Sequence, residues 1–422
     1  MGIYVQGYGT VGDEVSHDLS ARLIASAQRW AAERGLGELF YAGDPRDDGA
    51  WLSFYPMAGG IQFNLRNNRV AFDAKTSVAG PGYHASLIDM CDRLQTDVGV
   101  VWRWDAGGDE TGYATDRDVA KLRQAFADQF RGYCEFYNAN SEPDVLYALN
   151  LSDGLAVDGY EGVATPLGPL PIRFFIEALD DADDAEDCAR HVFPWWSSTF
   201  DQEFWTNAIR SLLWTEVEWR AARTPWERHV HSAALSMGSR LRTVLDAQIG
   251  AALDELAALP GDDETFVVPT PDGVGYLRRQ RAFFLPGRWR INLPGYFIEQ
   301  SEDNGETTCL WFGTQEIRGS SFTFAPKDGQ SPTGSRKLAD RSDQAGKSCT
   351  FRLPEAAERS GTIEGFFHAT AEFRATDRKG TAQLLMLSLF DAKSDLVPRL
   401  AEIAQGVWFD PPQDLPAKTQ GS

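Results

Sequence analysis

The pattern best suited to chemistry in this 422-residue chain is Ala79-Gly80-Pro81-Gly82-Tyr83-His84, set between a strand-like run and a helix-like run. Glycines at such a junction let the backbone turn tightly and leave amide N–H groups free at a helix N-terminus, where anions bind well. Gly80, Gly82, Tyr83 and His84 therefore form a candidate anion site, with His84 as a hydrogen-bond donor or proton carrier. The loop contains neither GxGxxG nor the GK[ST] ending of a phosphate-binding loop. A tight strand-to-helix connection carrying a surface histidine is the plainer reading.

Other chemistry-bearing types are spaced less well. Asp105, Asp109, Glu110, Asp116 and Asp118 follow that loop, but their order misses the ligand spacing of a calcium loop, so a solvated acidic loop is expected. His229 and His231 flank Val230 in a helical pattern; residues two apart on a helix point away from each other and cannot chelate one ion. There is no HExxH and no GxSxG elbow. The cysteines, Cys91, Cys134, Cys188, Cys309 and Cys349, show no metal or redox spacing and read as reduced thiols, Cys91 and Cys134 as small buried residues. No metal or cofactor is expected.

A third group points to recognition. Asp180, Asp181, Asp183, Asp184, Glu186 and Asp187 form an acidic run. A tryptophan-rich stretch follows, with Trp195, Trp196, Trp205, Trp214, Trp219 and Trp226 at spacings that cannot share one helix face. Aromatic anchors beside steering charges are the composition of a protein-binding hot spot. Asp180, Asp181, Asp183 and Asp184 with Trp195, Trp196 and Trp205 are thus the candidate protein-binding residues, against a plainer reading of interdomain packing.

The elements that must position these residues follow from periodicity. SHDLSARLIASAQRWAAER puts Leu19, Leu23, Ala27 and Trp30 on one helix face, with Ser16 or Asp18 as cap and Gly35 as terminator. Short strand-like runs begin at Trp51, Ile61 and Arg69, the last two joined by Asn67-Asn68. Helices over YHASLIDMCDRLQ and DVAKLRQAFADQFRGYCEFY complete an α+β domain of residues 1–150. Residues 151–264 read as an acidic, Trp-rich helical region, irregular over 151–172. After PGDDE the texture turns to short β-rich runs, giving an α+β domain over 265–410 and a tail, 411–422, unable to form a core. The fold class expected is α+β multidomain, closing with an antiparallel sheet and a packed helix.

Within that last domain RWRINLPGYFIEQ, the hairpin EFRATDRKGTAQLLMLSL and one closing helix resemble the PsbP/Mog1-type α+β fold. Proteins of that fold are mainly binders and adaptors, so the resemblance implies binding without assigning any residue a role.

Charge narrows the partners. Residues 1–264 hold 42 Asp+Glu against 21 Lys+Arg and the remainder 19 of each, so the whole net charge of −21 lies upstream. Such a surface repels phosphate backbones and anionic lipids and favours encounter with a cation. No run approaches a membrane helix and the start shows no secretory pattern, so a cytoplasmic protein is expected. Together these features predict a non-enzymatic binding protein of the bacterial immunity or adaptor type. Its basic partner, such as a toxin domain, would meet the acidic N-terminal two-thirds, with no nucleic acid and no membrane. The alternative is a hydrolase or transferase acting on a phosphorylated or acidic small molecule at Gly80–His84. A subunit of a larger assembly is the third reading.

Overall fold

The computed structural model describes residues 2–12, 18–104, 108–140, 147–149, 151, 162–179, 184–261, 268–270, 272–278, 280–302, 306–324, 339–341, 349–352, 361–363, 366–376, 382–391 and 396–409. Helices and strands both run through the described residues, and nearly every strand pairing among them is antiparallel, which makes the fold α+β. Two compact units emerge: residues 1–153, 157–261 and 269–278 form the first, and 154–156, 262–268 and 279–422 the second. The regions 1–150 and 151–264, separable by composition, thus belong almost wholly to one unit.

The first unit opens with β1 (Tyr4–Thr10) and α1 (Leu19–Glu33), followed by β2 (Tyr41–Ala42), β3 (Gly49–Ser53), β4 (Ile61–Arg66) and β5 (Arg69–Lys75). Then come α2 (Pro81–Val98) and β6 (Val101–Arg103), and the strands assemble in the order β2-β3-β4-β5-β1-β6. Leu19, Leu23, Ala27 and Trp30 of α1 are buried, as their spacing predicts. Gly35 takes φ +76° just past the helix end, and Asn67 takes φ +54° in the β4–β5 turn.

β1 carries little apolar signal of its own, yet it lies inside the sheet between β5 and β6. Its inward positions alternate Val5, Gly7 and Gly9. A Cβ on Gly7 would stand 2.1 Å from the Phe72 ring, and one on Gly9 2.5 Å from Val100. Rings from neighbouring elements fill the space those glycines leave. The same face is sealed by helices: Trp102 Nε1 of β6 donates to the Cys91 carbonyl of α2 at 2.7 Å.

The unit continues through α3 (Tyr113–Asp116), α4 (Val119–Ala139), β7 (Tyr147–Ala148), β8 (Val163–Thr165), β9 (Gly168–Leu170), α5 (Ile172–Glu177) and α6 (Asp184–Ala189). α7 (Gln202–Ser211), α8 (Pro225–Leu241) and α9 (Ala247–Ala257) complete it, α7 running on into a π-helical turn over Leu212–Glu216. The stretch expected to be irregular over 151–172 holds β8 and β9. There Thr165 Oγ1 donates to Gly168 O at 2.6 Å, and the Tyr276 hydroxyl pairs with the Thr165 backbone.

The second unit contains β10 (Gln280–Leu285) and β11 (Trp289–Pro294), then β12 (Ile298–Glu302), β13 (Thr307–Phe312) and β14 (Gln315–Phe324). Beyond these lie β15 (Ala339–Arg341), β16 (Cys349–Arg352), β17 (Gly361–Ile363), β18 (Phe366–Thr376), β19 (Ala382–Asp391), α10 (Leu396–Gln405) and β20 (Val407–Phe409). One sheet runs β10-β11-β20; the larger runs β12-β13-β14-β19-β18-β16-β15, with β17 on β18. Trp289, Ile291, Leu310, Phe373, Leu387 and Leu400 lie in its core, with α10 packed on the strands as expected. The tail 411–422 and most of 326–348 fall outside the described residues.

Candidate functional site

Lys75 ends β5, and the chain turns through Ala79-Gly80 into α2, with Pro81 in the first turn, where no amide is needed. Gly80, at φ +122°, is the N-cap. The amides expected to be free for an anion are engaged: Gly82 N donates to Trp195 O at 2.9 Å, and Trp195 N donates to Ala79 O at 2.9 Å. A Cβ on Gly80 would lie 2.7 Å from Trp195 O, and one on Gly82 2.3 Å from Ser197 O. The glycines make room for the chain's own Trp195–Ser197 segment, not for a ligand. Gly80, Gly82, Tyr83 and His84 are all buried, which corrects the reading of this loop as an anion cradle or a surface turn.

His84 is fully enclosed and satisfied at both ring nitrogens. Nδ1 lies 3.0 Å from Thr76 Oγ1; Nε2 lies 3.2 Å from Asp109 Oδ1 and 3.3 Å from Thr111 Oγ1. Asp109 also accepts from Thr111 N at 2.9 Å, Thr111 Oγ1 at 2.7 Å and Ala114 N at 2.6 Å. Burial pushes the Asp109 carboxyl up. The hydrogen bond and charge of His84, with the Ala114 and Thr111 donors, outweigh that and hold it far below the usual carboxylate range. A histidine, a hydroxyl and a carboxylate in line resemble a catalytic relay in composition, but a nucleophile must reach substrate, and Thr76 and His84 are both buried. What the arrangement does is fasten the segment carrying Asp109 onto α2. Of the acidic loop, Asp105 is outside the described residues, Asp116 pairs with Lys121 at 2.8 Å, and Asp118 caps α4 through Ala120 N and Lys121 N.

The tryptophans are also turned inward. Trp195 is fully buried among Tyr55, Tyr83 and Phe204, with ring centroids 5.2, 5.7 and 4.8 Å away, and Trp196 stacks on Phe193 at 6.1 Å. Trp205 is half-buried with Arg240 over its ring at 5.4 Å. None of the six tryptophans from Trp195 to Trp226 is exposed, which corrects the expectation of solvent-facing anchors: joining the helices to the sheet needs large apolar area, and indoles supply it. Asp180, Asp181 and Asp183 lie outside the described residues, and Asp184 begins α6.

His229 and His231 share α8, half-buried; burial lowers both, His231 to about 4. Among the described residues no group of three or more His, Cys, Asp or Glu could hold a metal ion. Cys91, Cys134 and Cys309 are buried, and burial pushes the Cys134 thiol up to about 12.

Sequence reasoning missed Glu216. It ends the π-helical turn, where burial raises its carboxyl to about 7 against a hydrogen bond from Thr215 Oγ1 at 3.0 Å. The nearby Tyr55 hydroxyl lies 3.1 Å from Ser211 Oγ, and burial pushes its phenol up. A lone glutamate in TEVEWR gives no signal of this, because the turn that carries it packs against Pro56–Ala58, far away along the chain.

Cations elsewhere in the first unit are largely matched. Arg29 pairs with Asp97, Arg93 with Glu33 and Asp97, Arg117 with Asp92, Arg220 with Glu227, Arg240 with Glu38 and Arg242 with Asp254. On the β2–β3 connection Asp44, Asp47 and Asp48 are exposed. No described helix is long and apolar enough to cross a membrane. Among family models none matches the chain, and no curated protein is significantly similar to it.

Proposed function

We propose that the protein is a non-enzymatic binding protein of the immunity or adaptor type, acting in a reducing compartment and capturing a basic protein partner on the acidic surface of its first unit. The observation that carries this reading is the excess of carboxylates in residues 1–264, 42 against 21 basic residues, combined with the internal pairing of most of the arginines. A paired arginine offers little charge to a partner, whereas Asp44, Asp47 and Asp48 remain turned to solvent. With the indoles buried, such recognition is electrostatic: it accelerates encounter and weakens with salt.

The test is capture of cationic proteins on the immobilised full chain at about 0.05 and about 0.5 M salt, repeated with Asp44→Lys, Asp47→Lys and Asp48→Lys combined. The reading expects retention at low salt, release at high salt and a clear loss in the variant. Failure to retain any cationic protein at low salt overturns it.

A further inference from the structure

The first unit's sheet has a second face, and the fold sorts charge onto it against the trend of the chain. Successive residues of a strand alternate between faces, so the outward positions are fixed by register. On β1 these are Tyr4, Gln6, Tyr8 and Thr10; on β5, Arg69, Ala71, Asp73 and Lys75; on β4, Gln62, Asn64 and Arg66; on β6, Val101 and Arg103. Tyr8 is 57% exposed, Val101 58% and Tyr4 36%. Pairing sets Tyr8 between Ala71 and Arg103, Tyr4 beside Lys75, Gln6 beside Asp73, and Arg66 beside Arg69.

Two features separate this surface from the rest of the unit. Among the described strand residues four cations, Arg66, Arg69, Lys75 and Arg103, share it with Asp73, which already accepts from Gln6 Nε2 at 2.7 Å, and exposed Glu110 follows Asp109, whose bridge to Val5 brings it beside Tyr4. Among the described residues none of those four cations has an ion-pair partner. The second feature is aromatic. Tyr4 and Tyr8 lie on one strand and one face, about 13 Å apart at ~3.3 Å per residue, and the neighbour of Tyr8 on β5 is the small Ala71, which leaves the ring's side uncrowded.

We infer that this outer face binds single-stranded nucleic acid. Tyr8 and Tyr4 offer flat surfaces on which unpaired bases stack. Arg103, Arg69, Arg66 and Lys75 flank them at positions suited to phosphates, and exposed Asn64 adds an amide on the same face. An acidic peptide would satisfy the arginines but has nothing planar to lay on the tyrosines. A duplex keeps its bases stacked and presents grooves that a flat sheet cannot enter. The net charge of −21 weighs against a polyanion at long range, but salt near 0.15 M screens charges more than about 8 Å away, so the local set governs contact.

The inference is independent of the basic-partner reading and is tested on the full chain by fluorescence anisotropy. The probes are labelled single-stranded RNA and DNA of about 12 nucleotides, the matching duplex and a poly-glutamate peptide. Both single strands are expected to bind more tightly than duplex or peptide. Tyr8→Ala is expected to weaken single-strand binding about tenfold at unchanged salt slope, with Tyr8→Phe retaining it. Arg69→Glu combined with Arg103→Glu is expected to flatten the slope by about 1.4, the share of two phosphates. The Asp44, Asp47 and Asp48 reversals should leave binding undiminished, which separates this test from the previous one. Because the altered side chains are exposed, unchanged unfolding temperatures confirm that the fold persists. Absence of single-strand binding at low salt, equal affinity for the glutamate peptide, or indifference to Tyr8→Ala each overturns the inference.

Discussion

His84 and Tyr8 belong to the same compact unit, one reached by no solvent and the other 57% exposed. His84 lies in the segment that most resembles a site by residue type, and the structure fills that segment with the chain's own Trp195–Ser197 backbone. Tyr8 lies in a glycine-rich strand, and register turns it outward among cations that have no ion-pair partner among the described residues. Reactive residue types therefore report on chemistry only when the fold leaves them reachable. A buried histidine that is satisfied on both sides is a fastener.

Removing the fastener gives the largest expected effect. Asp109→Ala leaves His84 enclosed without its carboxylate, and denaturant unfolding should show a loss of about 3–5 kcal/mol. A change below 1 kcal/mol would mean that the locus is looser than its geometry indicates. The Asp109 carboxyl is depressed in the folded state, so its contribution is fully present above the unfolded carboxylate value. It is lost as pH falls below about 4 toward the folded value.

Gly82→Val comes next. Its Cβ would meet Ser197 O at 2.3 Å, so unfolding should show a loss of about 2–3 kcal/mol whether or not any anion is added. A phosphate-dependent rise in unfolding temperature in the wild type, abolished by this change, would restore the anion-site reading and break the comparison.

Glu216 probes a titrating group in the same unit. Its folded value of about 7 exceeds the ordinary 4.5, so the neutral form favours folding below 4.5 and that advantage is lost as pH rises through 7. Glu216→Gln should therefore gain on the wild type by up to about 3 kcal/mol between pH 5 and pH 8, measured by denaturant midpoints. The smallest effect belongs to the open side: Tyr8→Ala should shift stability by less than about 0.5 kcal/mol, as an exposed side chain with no described hydrogen bond should.

Much of the fold was legible because its signal is local. The α1 face, the helix expected from Tyr83, which begins two residues earlier at Pro81, the Asn67 turn and the β-rich runs that become β18 and β19 each follow from residues within one or two turns of chain. β1 was not, since YVQGYGT holds a single branched apolar residue and its glycines make sense only beside Phe72, Val100 and Trp102. For the site the balance reverses. His84 and the tryptophans were visible by type, but their burial depends on partners far along the chain, such as Asp109 for His84 and Tyr83 for Trp195.

The sequence by itself determined the α+β class and the surplus of carboxylates upstream of Pro260, because periodicity and net charge are sums over residues. Tertiary structure decided which indoles are core, that the Gly80–His84 loop is closed, and that Arg66, Arg69, Lys75 and Arg103 share a face with Tyr4 and Tyr8. Exposure and proximity arise from strand register and long-range packing, and neither can be read from any stretch of chain taken alone.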